Sequence, residues 1–284
     1  MSAWWMRART GAHGPGWRPR RRLVAFPHAG GWPSAFRAWW PLLPADVELL
    51  VAQLPGRGAR IGEESLTRVE PIVDALSRDL ADQEPLPYAV IGHSFGSVLG
   101  YELTRVMEQK GLAPALLAVS ARQPPCFPGE PPFAHLGSDA RLLEHLTEIG
   151  GLSPQLTERA DLVQPVLRAI RADLEAMGRY ERPMSATGVP ILALGAVDDP
   201  VVVAERLHLW SLETTGGFRR SMFTGGHFYL YDRANAAVVI RHLMADVPTA
   251  RSEVSDRSLP SRPESVPVAP RSDSPERKHS EHHR

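Results

Sequence analysis

Tyr88-Ala89-Val90-Ile91-Gly92-His93-Ser94-Phe95-Gly96-Ser97-Val98-Leu99-Gly100 reads as a strand, a tight turn and then a helix. The stretch opens with a short apolar run, and Leu99, Tyr101, Leu103 and Val106 continue it with helical spacing. At the junction, Gly92-His93-Ser94-Phe95-Gly96 fits the pattern G-x-S-x-G. In that pattern a serine occupies a strained turn, and glycines two before and two after let strand and helix approach without Cβ clashes. The serine Oγ then stands above the sheet at the N-terminus of the following helix. There the helix dipole and free backbone N–H groups favour a developing oxyanion. Five residues of this kind arise by chance in many chains. The apolar strand before them and the helix after them are what make Ser94 a nucleophile rather than an incidental serine in a glycine-rich turn.

Outward from the elbow, short β-prone runs alternate with helical patterns. The runs are Leu23 to Phe26, Val47 to Leu54, Pro87 to Ile91, Ala115 to Val119, Pro190 to Leu194 and Arg219 to Phe223. Between them, apolar spacing near 3.6 appears at Phe36/Trp39/Trp40, Val69 to Leu80, Val98 to Met107, Val202 to Trp210 and Ala236 to Met244. Such alternation predicts an α/β fold, a mostly parallel sheet with helices on both faces. From about 127 to 184 the rhythm breaks. No strand is evident there, only helical patterns at Asp139 to Ile149 and Ala160 to Tyr180, as expected for a helical lid insert over the strands' C-terminal ends.

The ends differ from the middle. Residues 247–284 are rich in Pro, Ser, Arg and Glu and nearly devoid of aromatic and branched residues, so a disordered tail is expected. Residues 1–20 are expected to be a flexible basic extension, leaving 21–246 as the folded domain.

A serine near neutral pH needs a general base, and the chain offers 11 histidines. His93 lies inside the elbow with its side chain beside Ser94, which suits packing. His208 and His242 fall on helical patterns. His227 follows the last strand in Thr224-Gly225-Gly226-His227-Phe228, on the same sheet edge as the elbow, and is the expected base. In this fold the chain order is serine, acid, histidine, so the acid should follow the strand Pro190 to Leu194. Gly195-Ala196-Val197-Asp198-Asp199-Pro200 stands there. Both aspartates are candidates, and Asp199 is preferred because Pro200 biases it to an extended conformation. One oxyanion donor is the N–H of Phe95, after the serine. The other belongs to the glycine-bearing loop Phe26-Pro27-His28-Ala29-Gly30-Gly31, from Ala29 or His28.

Composition narrows the remaining classes. In 284 residues, 43% are apolar, enough for a sizeable core, and the formal net charge is zero, which gives nucleic acid or an anionic membrane no long-range attraction. No segment approaches the roughly 18 to 20 apolar residues that span a bilayer. The apolar run after Arg18 to Arg22 is too short for a secretion signal. The single cysteine, Cys126, fits a reducing cytoplasm and has no neighbour that suggests a catalytic thiol. His282 and His283 read as tail residues rather than metal ligands, so no metal or other cofactor is expected.

Taken together, these residues resemble the type II thioesterases of the α/β-hydrolase superfamily. The resemblance rests on Phe26-Pro27-His28-Ala29-Gly30-Gly31, Phe36-Arg37 with Trp39, Gln53-Leu54-Pro55-Gly56-Arg57-Gly58-Ala59-Arg60, the elbow, and Gly225-Gly226-His227-Phe228-Tyr229-Leu230, and it runs from about Leu23 to Met244. It implies hydrolysis of acyl thioesters on the phosphopantetheine arm of acyl or peptidyl carrier proteins, clearing stalled groups from polyketide or nonribosomal peptide assembly. It also implies a Ser94–Asp–His227 triad, a monomer, and no cofactor beyond the arm on the substrate. The family usually places glycine, two residues, then Asp-Pro. Here Gly195 lies three residues before Asp198 and four before Asp199, so both aspartates stay open. A lipase or carboxylesterase, a dedicated chain-release thioesterase and a non-catalytic hydrolase scaffold are the competing readings.

Overall fold

The computed structural model describes residues 3–8, 16–125, 137–152, 159–181 and 184–249. Cys126, His282, His283 and nearly all of the expected C-terminal tail lie outside the described residues.

A sheet of seven strands in the order β1-β3-β2-β4-β5-β6-β7 organises the chain. Its strands are β1 (Trp5–Ala8), β2 (Arg21–Phe26), β3 (Val47–Ala52), β4 (Tyr88–His93), β5 (Leu116–Ser120), β6 (Ile191–Ala196) and β7 (Phe218–Phe223). All neighbours pair in parallel except β1 with β3. Strands β3, β4, β5 and β6 are buried at every residue, as a sheet covered on both faces requires.

Successive residues of each strand divide between two cores, because side chains alternate across a pleated sheet. Val24, Phe26, Val90 and Leu117 face α1 (Val69–Ala81) and α2 (Phe95–Gln109). Leu23, Ala25, Ala89 and Ile91 face the C-terminal helix Arg233–Ala245 and the segment Pro33–Leu42. That segment and Ala204–Glu213 are 3-10 rather than α-helices. Pro41 lies inside the first and removes a backbone donor. Between β5 and β6 the described residues form two helices, α3 (Asp139–Glu148) and α4 (Ala160–Gly178), and the C-terminal helix is α5. Leu142, Val163, Leu167 and Ile170 form a small third core within this pair.

The N-terminal expectation needs correction. Residues 5–8 are a strand on the sheet's edge, with Trp5 paired to Ala52 and its ring edge-on to Phe26 at 5.6 Å between centroids. Trp4 lies under the Arg60 guanidinium at 4.2 Å, and Arg7 pairs with Glu48 at 2.7 Å. A tryptophan buried to 6% exposure stabilises such an edge, whereas four residues are too few for a visible period. At the other end, Val247 is buried against the α5 core, so the packed chain extends one residue past the expected 246.

Candidate active site

Every sequence-derived site residue lies just past the C-terminal end of a parallel strand. Ser94 follows β4, the His28–Ala29 loop follows β2, Asp199 follows β6 and His227 follows β7. The crevice at these strand ends is where such sheets place their ligand sites.

Ser94 has φ 53° and ψ −116°, a conformation rare for any residue with a Cβ. Contacts on either side explain how it is enforced. A Cβ on Gly92 would lie 2.0 Å from the Gly96 carbonyl oxygen, and one on Gly96 would lie 2.3 Å from that of Phe26. Strand β4, helix α2 and the end of β2 therefore meet backbone to backbone. The Ser94 N–H donates to the Ser120 carbonyl at 2.8 Å, tying the elbow to β5. Phe95 begins α2, so its N–H belongs to the first turn, where the helix itself supplies no acceptor.

His227 Nδ1 lies 3.0 and 3.1 Å from the two carboxylate oxygens of Asp199. Asp199 also accepts the N–H of Val201 at 2.8 Å and of Val202 at 3.3 Å, and its side chain is 1% exposed. Asp198 is exposed, and its own backbone N–H donates to Gly225. The structure thus brings Asp199, not Asp198, to the histidine. A neutral imidazole that donates from Nδ1 to a carboxylate keeps Nε2 as its acceptor, and the Asp199–His227 contact has the geometry for that arrangement.

Ser94, Ala29 and His227 share a cleft walled by Leu142, Ile170 and Phe228 among others. Leu146 and Ile149 of the lid helices also line it. Leu143, Val166 and Leu167, on the same two helices, pack the lid's own core instead. Sequence reasoning missed Leu174, His145 and Val201 in the wall. Only the helical spacing of Leu174 from Ile170 offered a signal.

Behind the elbow lies a buried aromatic and polar layer. His93 is fully buried, its Nδ1 2.9 Å from Ser120 Oγ, which in turn is 2.8 Å from the Tyr229 hydroxyl. Its ring lies 5.4 Å from that of His227, and His28 Nδ1 is 2.9 Å from the Tyr231 hydroxyl. Burial, aided by the charges of His227 and Arg57, lowers His28 from 6.5 to about 3. Burial, aided by His227 and His28, holds His93 well below its ordinary value.

These two rings make stability depend on pH. In the unfolded chain both titrate near 6.5, so below that value the unfolded state binds more protons. Their contribution is complete above about pH 6.5 and is lost as the pH falls below it. Urea midpoints are expected to drop from about pH 7 to about pH 5, and His93→Gln to flatten that slope. A midpoint constant across the window would contradict buried neutral histidines.

Among the described residues no group of three or more His, Cys, Asp or Glu side chains is placed to hold a metal ion. Likewise, no helix among them is long and apolar enough to cross a membrane.

Residues 21–247 match the family described as the thioesterase domain. Over 213 residues the chain is 32% identical to the gramicidin S biosynthesis protein GrsT of Aneurinibacillus migulanus, covering 74% of this chain and 83% of that protein. RedJ, a thioesterase from the prodiginine biosynthetic pathway in Streptomyces coelicolor, superposes with a TM-score of 0.73 at 34% identity, over 81% of this chain and 91% of that one. BorB, the type II thioesterase from the borrelidin biosynthetic cluster, gives a TM-score of 0.74 at 33% identity, over 85% and 98%.

Proposed function

This chain belongs to the thioesterase family, and from that premise we propose that it hydrolyses acyl thioesters held on the phosphopantetheine arm of carrier proteins, clearing stalled acyl groups in polyketide or nonribosomal peptide biosynthesis. The observation that carries the reading is the convergence of Ser94 with an Asp199–His227 pair on one apolar cleft beneath two lid helices. An apolar wall suits the acyl chain, while Ser94 and His227 supply the polar groups that act on the thioester.

Ser94 Oγ attacks the thioester carbonyl carbon as His227 Nε2 takes its proton. The carbonyl oxygen becomes an oxyanion held by the N–H groups of Phe95 and Ala29. Asp199 stabilises the imidazolium that forms. The tetrahedral intermediate collapses with cleavage of the C–S bond, and the imidazolium protonates the departing thiolate. Water, deprotonated by His227, then attacks the acyl-serine, releasing a carboxylic acid and restoring Ser94. The thiol stays on the carrier's own arm, so the chain needs no cofactor of its own.

The wall of Leu142, Leu146, Ile149 and Ile170 accepts an acyl chain by apolar contact, which selects weakly among short and medium acyl groups. Mass spectrometry of a panel of acyl-loaded carrier proteins is expected to show free carrier for several such groups. Michaelis constants should lie toward the upper end of the micromolar-to-millimolar range, roughly 0.1 to 1 mM. Preference for one acyl chain by more than about a hundredfold, which is about 2.7 kcal/mol of discrimination, would instead identify a dedicated chain-release enzyme.

A further inference from the structure

Asp173, on helix α4, is fully buried and makes contacts in two directions. Toward the loop after β3 it receives Arg57 in a two-pronged pair, Nη1 to Oδ2 at 2.5 Å and Nη2 to Oδ1 at 2.8 Å. Toward the loop after β2 its Oδ2 accepts the Gly30 N–H at 2.7 Å. Arg57 is itself 2% exposed. Taking both charges out of water opposes folding, and well-packed apolar residues commonly replace such a pair without loss of stability. Stability is therefore a weak reason for burying it here.

The geometry points to a different role: we propose that Asp173 is a positioning residue that aims the Ala29 N–H at the substrate oxyanion, so that helix α4 of the lid is part of the catalytic apparatus. The proposal rests on the reading of Ala29 as an oxyanion donor. The turn from His28 to Gly31 is held through two successive peptide planes. Ala29 N–H shares its plane with the His28 carbonyl, which the Gly31 N–H holds at 2.8 Å. The next plane carries the Gly30 N–H, which Asp173 holds. Gly30 has φ 70°, and a Cβ on it would fall 2.2 Å from Ile170 Cγ1, so α4 lies directly on this turn. Fixing both planes leaves the Ala29 N–H little freedom to reorient beside the cleft that Ala29 lines. An oxyanion donor is effective only when its direction is set before charge develops.

Two double variants separate positioning from ion pairing. Arg57→Met/Asp173→Leu removes both charges and the acceptor for Gly30. Arg57→Met/Asp173→Asn removes both charges but leaves an amide oxygen in the acceptor's place. They are read on an acyl N-acetylcysteamine thioester, with thermal melting alongside. The leucine variant is expected to lose kcat by roughly 10- to 100-fold with KM within about threefold, since misplacement of an oxyanion donor acts on the transition state. The asparagine variant is expected to recover kcat to within about threefold of the unaltered chain. Should the leucine variant be unfolded, Arg57→Met/Asp173→Ala, which carries less bulk, takes its place. Equal kcat in the two variants, or a rise in KM with kcat unchanged, overturns the proposal. Unaltered protein that cleaves the free thioester but no acyl-carrier protein rejects the proposed carrier substrate and leaves this comparison intact.

Discussion

Ser94→Ala is expected to lower kcat by about 10⁴- to 10⁶-fold while leaving the fold intact, and His227→Ala to do nearly the same. Combining the two should add little, because nucleophile and base act as one unit and loss of either leaves only the oxyanion donors and the cleft. Turnover of an acyl thioester by stopped assay, with circular dichroism on each variant, measures both. Retention of more than about a tenth of the original kcat by Ser94→Ala would assign the nucleophile elsewhere. Stability gives a second handle on the same residue. Alanine inherits the strained backbone at φ 53°, whereas glycine relieves it. Ser94→Gly should therefore be inactive yet melt no lower than Ser94→Ala, despite the greater flexibility of unfolded glycine, which opposes folding by about 1 kcal/mol.

Asp199→Asn should reduce kcat by roughly 10³- to 10⁴-fold, against about threefold or less for Asp198→Asn. The amide still accepts from the Val201 and Val202 N–H groups through its oxygen, so the loop around it should hold. What changes is the partner of His227 Nδ1. An amide nitrogen turned toward the ring favours the tautomer with the proton on Nε2, which cannot take the serine's proton. Asp198 is exposed and makes no contact of this kind with the imidazole. The opposite ranking of the two variants would transfer the acid's role to Asp198.

The elbow was legible because its causes are local. Gly92, Ser94, Gly96, an apolar strand and a helical spacing sit within nineteen residues, from Tyr88 to Val106. His227 was legible for a related reason, since it follows a strand on the correct edge. Asp199 was only half legible. Glycine spacing and the Asp-Pro step gave different registers, and the geometry at His227 decides which carboxylate reaches the ring. Strand β1 escaped notice because four residues at a sheet edge show no period, and an arginine within it suggested solvent. The Arg57–Asp173 pair was harder still. Its partners lie 116 residues apart, and Asp173 among Arg168, Arg171 and Glu175 resembles one more charge on a solvated helix face. Only packing against the β2 loop turns it inward.

The lid's small core carries a consequence for how this enzyme can diversify. Leu142, Leu146, Ile170 and Leu174 belong to the cluster that holds α3 and α4 together, and the same side chains wall the cleft. Trimming one of them to admit a bulkier acyl group also removes packing from the lid, at about 2 to 5 kcal/mol for a buried leucine reduced to alanine. Ile149 lines the cleft without belonging to that cluster, whereas Val201, which also lines it, packs against the core on the α1 and α2 side of the sheet. Lineages that alter acyl preference by single steps should therefore change at Ile149 first. Changes at the four shared leucine and isoleucine positions should arrive together with compensating bulk on the opposite helix.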